Sequence, residues 1–270
     1  SGKGPASPSL LSLLSYFPLS SYLSAQGVII GGNEVVPHSR PYMAYVLMHV
    51  SNRSGSKAFY CGGFLIRPDA VLSAAHCVWN MLVFPGRRVN ITVILGAHNI
   101  RIREWSQQWI SVRDWVFHPR YSPDSVKYDI VLLRVWSKKS FLPEGSPPAH
   151  FPQPLNLVGT KCSVAGWGRT YLTGHSSNVM MEVDLKVEGR GNLFLKAGRA
   201  CLIPLILFMT QGDSGGPLVC NQKAHGIVSH GMGRRLFPEV FTRVSYFEPW
   251  IRQQLRRFAL QELPASPSSQ

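Results

Sequence analysis

The chain has 270 residues and is 45% hydrophobic, which excludes a chain disordered throughout and allows a sizeable core. Its formal charge of +14 and pI near 9.9 exclude a surface indifferent to polyanions. Sulfated glycosaminoglycans are the expected partners through salt-sensitive attraction, and no specific nucleic-acid motif accompanies the charge.

Residues 1–28 differ in composition from the remainder of the chain. Ser9 to Ala25 is rich in Ser, Leu, Tyr and Phe and carries no charge. It resembles the apolar region of a signal peptide, is broken by Pro18 and is too polar to span a membrane. The segment reads as a leader or pro-segment, or as sequence foreign to the normal coding exons. Ile29-Ile30-Gly31-Gly32 comes next. It reads as a strand entering a turn, or as a new N-terminus made by cleavage after Val28. In the second reading the Ile29 ammonium pairs with Asp213, since a buried carboxylate needs a partner.

Short runs rich in Val, Ile, Leu and Phe then alternate with Gly, Pro, Asn and Ser. They predict strands at Met43–Val50, Gly63–Ile66, Val89–Leu95, Ile130–Val135, Gly226–Ser229 and Glu239–Val244. One helix is predicted over Tyr246–Phe258, with Pro249 in its first turn. Phe247, Trp250, Ile251, Gln254, Leu255 and Phe258 share a side, opposite basic residues. Residues 259–270 read as a disordered tail.

There are five cysteines, an odd number. Cys61 and Cys77 flank strand-like sequence that ends in a histidine, and a bridge there would anchor the His76 loop. Cys162 precedes Gly166-Trp167-Gly168, and Cys220 follows a glycine-rich serine motif. Bridging them would tie that motif to the preceding strand and leave Cys201 without a partner. The sequons at Asn52 and Asn90 fit a secreted glycoprotein.

Three local patterns carry chemistry. Gly212-Asp213-Ser214-Gly215-Gly216-Pro217 can present a serine hydroxyl on a tight turn, with the backbone N–H groups of Gly212 and Ser214 free to face an oxyanion. Ala74-Ala75-His76-Cys77 offers a general base. Tyr128-Asp129-Ile130-Val131-Leu132-Leu133 offers a carboxylate to orient it. A serine hydroxyl is a poor nucleophile until an adjacent base takes its proton.

With these residues the chain resembles the chymotrypsin-type, trypsin-like serine proteases, and among them the cathepsin G, chymase and granzyme group of granule proteases. Further matches are Pro37 to Tyr45, Cys61-Gly62-Gly63-Phe64-Leu65, Leu95 to Ile100, Val164 to Arg169, Ala224 to Ser229 and Pro238 to Ser245. The resemblance implies an all-β domain over 29–258, with two six-stranded antiparallel barrels, a C-terminal helix and the active site between the barrels. It implies a secreted, granule-stored monomeric zymogen that cleaves peptide bonds through an acyl-enzyme. Serpin-type inhibitors are implied partners, and no cofactor or metal is expected. Ser214 resembles the nucleophile, His76 the base and Asp129 its orienting partner. Ser229-His230-Gly231 resembles the edge that pairs with the substrate backbone, although an aromatic is usual where His230 stands. Glu239 resembles an acidic residue at the back of the pocket for the P1 side chain. That pocket is expected to take large apolar residues, with Glu239 adding tolerance for Lys and Arg, or else Glu239 is an exposed strand residue.

Residues 189–211 depart from this pattern. The hydrophobic run Leu202 to Gln211 stands where relatives have small residues, and Phe208 falls on the pocket floor, unless the run is a buried strand. Like residues 1–28, the run is rich in residues with pyrimidine-rich codons and ends in Gln before Gly. A splice-acceptor site read as protein would look the same. A weakly catalytic, cationic, heparin-binding or antimicrobial protein on this scaffold, like azurocidin, is therefore the alternative.

Overall fold

The computed structural model describes residues 32–53, 55–83, 86, 88–135, 157, 159–168, 175–187, 212–230 and 240–260, and the backbone alone of 199–201 and 230. Thirteen strands and two helices lie among them. Six strands form a closed antiparallel barrel in the order β2 (Met43–Asn52), β3 (Gly55–Arg67), β4 (Ala70–Ser73), β7 (Val131–Val135), β6 (Gln108–Phe117) and β5 (Arg88–Leu95). Alternation along β2 explains its place. Val46, Met48 and Val50 point inward and are at most 5% exposed, while His49 between the last two is exposed. β3 also begins well before the apolar run at Gly63, because it hairpins with β2 along its whole length, from Met43↔Phe64 to Asn52↔Gly55.

The second half forms a seven-stranded sheet: β1 (Asn33–Glu34), β9 (Met181–Lys186), β8 (Lys161–Gly166), β11 (Pro217–Cys220), β12 (Lys223–His230), β13 (Val240–Arg243) and β10 (Arg199–Cys201). β1 precedes the barrel in sequence yet pairs with β9, Asn33 opposite Glu182. The chain therefore enters through the second sheet before building the first barrel. Val164, Val183, Leu218, Val228 and Phe241 form that sheet's core. A third cluster of Met43, Tyr45, Ile94, Ala165, Trp167 and Met180 draws from both halves. It is the apolar seam between them.

The expected bridges are present, Cys61–Cys77 and Cys162–Cys220. α1 (Ala75–Leu82) corrects the reading of sequence ending in His76 as strand: β4 stops at Ser73, and His76 lies in the first turn of a helix. α2 (Val244–Leu260) is longer than the sequence indicated. Its buried Val244 extends it backward and Ala259 and Leu260, assigned to the tail, continue it forward, so Pro249 is in the helix interior rather than in the first turn. Its ring removes one helical hydrogen bond there. Packing compensates, since Phe247, Trp250, Ile251 and Phe258 join the barrel's core cluster. Arg67 and Arg134 donate to the carbonyls of Leu255 and Phe258 at 2.9 and 3.2 Å; Phe258 is one of the last four residues, whose carbonyls have no partner within the helix. Among the described residues, no helix is long and apolar enough to cross a membrane.

Candidate active site

Asp129 follows a backbone that only tertiary contacts explain. Val126 and Tyr128 both have positive φ, at 47° and 55°, so the segment before β7 turns sharply. The carboxylate ends up 1% exposed. Its Oδ2 lies 2.8 Å from His76 Nδ1, and its Oδ1 accepts the His76 backbone N–H at 2.8 Å. Two bonds to one residue fix both the imidazole and the start of α1. The Ser229 hydroxyl donates to Oδ2 at 2.5 Å, and Thr242 Oγ1 donates to the Asp129 carbonyl at 2.9 Å. Burial by itself raises the carboxyl's pKa, but the hydrogen bond and charge of His76, with the Ser229 hydroxyl, hold it below the usual value. Asp129 is thus poised as an anion. Such a partner keeps the Nδ1 proton of the imidazole in place and leaves Nε2 to accept one.

Ser214 sits on a turn clamped from both halves. Its carbonyl accepts from Gly62 N in β3 at 2.7 Å. The next residue, Gly215, donates to Val228 O in β12 at 2.8 Å, and Val228 N donates to Gly216 O at 2.8 Å. Gly215 has φ +87°, and a Cβ there would meet Gly62 O and Ser73 Oγ at 2.3 Å. Only glycine fits. Gly212 has φ +119°, and its Cβ would meet the Tyr60 ring at 2.5 Å. The Cys61–Cys77 sulfur joins the two catalytic candidates, since Cys77 Sγ is 3.7 Å from His76 Nε2 and 3.8 Å from the Ser214 carbonyl. These two sulfurs and the imidazole lie close enough to suggest a metal site, but the thiolates such a site needs are spent in the disulfide.

Asp213 is 1% exposed. Gly168 N donates to its Oδ1 at 2.9 Å. A Cβ on Gly168 would lie 2.1 Å from Oδ2, and one on Gly166 would lie 2.5 Å from Oδ1. The Gly166-Trp167-Gly168 triplet is therefore a cradle for this carboxylate, a role that its sequence did not reveal. Trp167 between the glycines is anchored by donating Nε1–H to His98 O at 2.9 Å.

Of the residues singled out from sequence, His76 and Asp129 bond to each other directly. Ser214, Gly212 and Asp213 share the turn beside them. Ser229 was assigned to the substrate edge, yet its side chain is buried on Asp129; that contact was missed because a Ser 100 positions away carries no local signal. Thr242 was missed for the same reason. Ile29, Phe208, Gly231, Glu239 and the His230 side chain lie outside the described residues. Asn52 and Asn90 are both exposed on the first barrel. A separate cavity lined by Arg40, Tyr42, Lys161, Asp184 and Asn221 contains none of these residues. Its charges are already matched, Arg40 with Glu182 and Lys161 with Asp184.

Comparison with known proteins gives a consistent answer. The family model described as Trypsin matches residues 29–251. The chain is 41% identical over 261 residues to duodenase-1 of Bos taurus, covering 92% of this chain and 98% of that one. It is 40% identical over 259 residues to cathepsin G of Homo sapiens, covering 89% and 92%. It is 42% identical over 265 residues to granzyme B of Rattus norvegicus, covering 92% and 99%. A solved structure titled "Structure of GrC" superposes with a TM-score of 0.70 at 38% identity, covering 84% of this chain and 99% of that chain.

Proposed function

The chain belongs to the trypsin family of serine endopeptidases, and on that premise we propose that it hydrolyses peptide bonds with Ser214 as nucleophile, His76 as general base and Asp129 as the group that orients the imidazole. The single observation that carries this is the buried Asp129 carboxylate bonded at 2.8 Å to both the ring and the backbone N–H of His76. In the acylation step His76 Nε2 takes the Ser214 proton as Oγ attacks the scissile carbonyl. The same proton then goes to the leaving amine, and water repeats the sequence on the acyl-enzyme. Gly212 and Ser214 N–H groups stabilise the oxyanion. The Gly62 and Val228 bonds that clamp this turn support that role.

Activation is a proposal on the same footing. Cleavage between Val28 and Ile29 frees an ammonium that pairs with Asp213, the buried carboxylate held in the Gly166–Gly168 cradle. Granule storage and secretion belong to the same reading, supported by the likeness to cathepsin G and granzyme B, the sequons and the disulfides. Preference for large apolar P1 residues, tolerance of Lys through Glu239, binding of sulfated glycosaminoglycans and inhibition by serpins complete the reading. The test is to compare the intact chain with the same chain cut after Val28, on Phe and Lys peptide substrates, with Glu239→Ala alongside. Turnover is expected only after the cut, and the Lys-to-Phe ratio is expected to fall in E239A. Full activity of the uncut chain removes the activation step, and an unchanged ratio removes Glu239.

A second reading rests on the charge of +14: a cationic polyanion-binding protein on this scaffold with little turnover. Heparin affinity that persists at physiological ionic strength, without any hydrolysis by the cut chain, favours it.

A further inference from the structure

The loop between β5 and β6 is a rigid mount for an outward-facing apolar and cationic tip. Gly96 opens it at φ +70°, where a Cβ would lie 2.3 Å from Ser106 O. Ser106 Oγ donates back to Gly96 O at 2.8 Å. The Glu104 carboxylate turns inward and accepts from the N–H groups of His98 and Asn99 at 2.7 and 3.2 Å. Burial would raise its pKa, but those backbone bonds hold it below the usual value. Gln107 Nε2 donates to the carbonyls of Asn99 and Ile102 at 3.0 and 2.9 Å. Ile100 N donates to Asn178 O at 2.9 Å, so the loop is docked on the second half of the molecule.

With its acid turned in, the loop shows solvent the opposite chemistry. Trp105 is 95% exposed, Ile102 57% and Trp109 48%. Arg101 and Arg103 are exposed beside them, with the Arg103 guanidinium 5.6 Å over the Trp109 ring. The His38 ring is 6.4 Å from Trp105, which brings the β1–β2 connection, with Val36 at 72% exposure, to the same place. A tryptophan held almost wholly in water by a fixed loop is an uncompensated cost for an isolated chain.

We propose that this tip is an interfacial anchor that docks the protein on anionic lipid bilayers. Trp places an apolar ring and a polar N–H at the headgroup level, and flanking arginines are drawn to an anionic leaflet. The tip presents Ile102, Trp105, Arg101 and Arg103 to solvent. An acidic peptide would need a groove with backbone donors, and the described cavity lies elsewhere, lined by Arg40, Lys161 and Asn221. The fixed loop means that no ordering cost is added when Trp105 inserts.

The test is cosedimentation of the full chain with phosphatidylcholine vesicles containing phosphatidylserine, compared with Trp105→Ala and with Arg101→Ala/Arg103→Ala. Wild type is expected to partition onto the anionic vesicles, with tryptophan quenching by brominated acyl chains. W105A is expected to bind about tenfold more weakly and to lose that quenching. The arginine pair should weaken binding more at low salt than at high salt. Hydrolysis of a small soluble peptide should be unchanged in W105A, because the residue touches no part of the site. Equal vesicle binding by wild type and W105A overturns the proposal in favour of adsorption by net charge. Failure of wild type to bind these vesicles, with Trp105-dependent capture of heparin or an acidic polypeptide instead, also overturns it.

Discussion

Replacing Gly168 with alanine perturbs Asp213, the proposed activation carboxylate, without touching the proposed triad. The new Cβ would lie 2.1 Å from Asp213 Oδ2 and 2.3 Å from its Cγ. Asp213 is 1% exposed and has no open side to retreat to. It must rotate, and in doing so it loses the 2.9 Å bond from Gly168 N. Losing a hydrogen bond to a buried charge costs about 1.5–3 kcal/mol, and overpacking adds about 1–3 kcal/mol. A destabilisation of about 2.5–6 kcal/mol is therefore expected. Asp213 sits between the two proposed oxyanion donors, Gly212 and Ser214. A shift of about 1 Å in that turn should lower kcat on the order of 10²-fold, with KM far less affected. Thermal unfolding and steady-state hydrolysis of a peptide amide measure both. Gly159→Ala is the control, with φ +81° but open space around the Cβ position. It should cost about 1 kcal/mol in stability and leave kcat unchanged. Wild-type Tm and kcat in G168A would refute the cradle.

Asp129→Asn should keep the fold but lower kcat by about 10⁴, because an amide can hold the imidazole in the wrong tautomer; pH–rate profiles in the two proteins check it. Stability should rise with pH from acid toward neutral. Asp129 has a lowered pKa despite burial, so its contribution is present above the unfolded carboxyl value and lost as pH falls through the folded one. His118 and His225 are both pushed down by burial, with Arg120 and Lys223 adding repulsion. Below about pH 6.5 the unfolded chain binds their protons more readily than the folded one, so stability falls there too. Urea melts across this range measure the slope, and flat stability from pH 7 to pH 5 would contradict the assignment. Cys61→Ala/Cys77→Ala should lose about 3 kcal/mol by the loop-closure argument, along with the sulfur that touches both His76 and Ser214. Denaturant titration with and without reductant checks it.

The sequence made the local signals legible. Alternating apolar residues located β2, β5, β7 and β12, and the stripe from Phe247 to Phe258 located α2. The triad candidates were visible because each lies inside its own short pattern. What stayed hidden depends on the approach of distant backbone. Ser229 and Thr242 reach Asp129 from the second half of the chain only once β12 and β13 are in place. The glycines of Gly166-Trp167-Gly168 look like turn residues until Asp213 is seen against them. The start of α2 was missed because Val244 read as the end of the strand Glu239–Val244, whereas it opens the helix. β10 emerged inside the atypical 189–211 segment, through pairing of Cys201 with Val240 that local composition does not encode.

The central claim is that Ser214 is a nucleophile activated by His76. A fluorophosphonate probe added to the chain cut after Val28, followed by peptide mapping, tests it most directly. The account predicts covalent phosphonylation of the peptide carrying Ser214, abolished in Ser214→Ala and slowed by orders of magnitude in His76→Ala. An unlabelled Ser214 in the cut, folded protein, or labelling that is indifferent to His76, would contradict it.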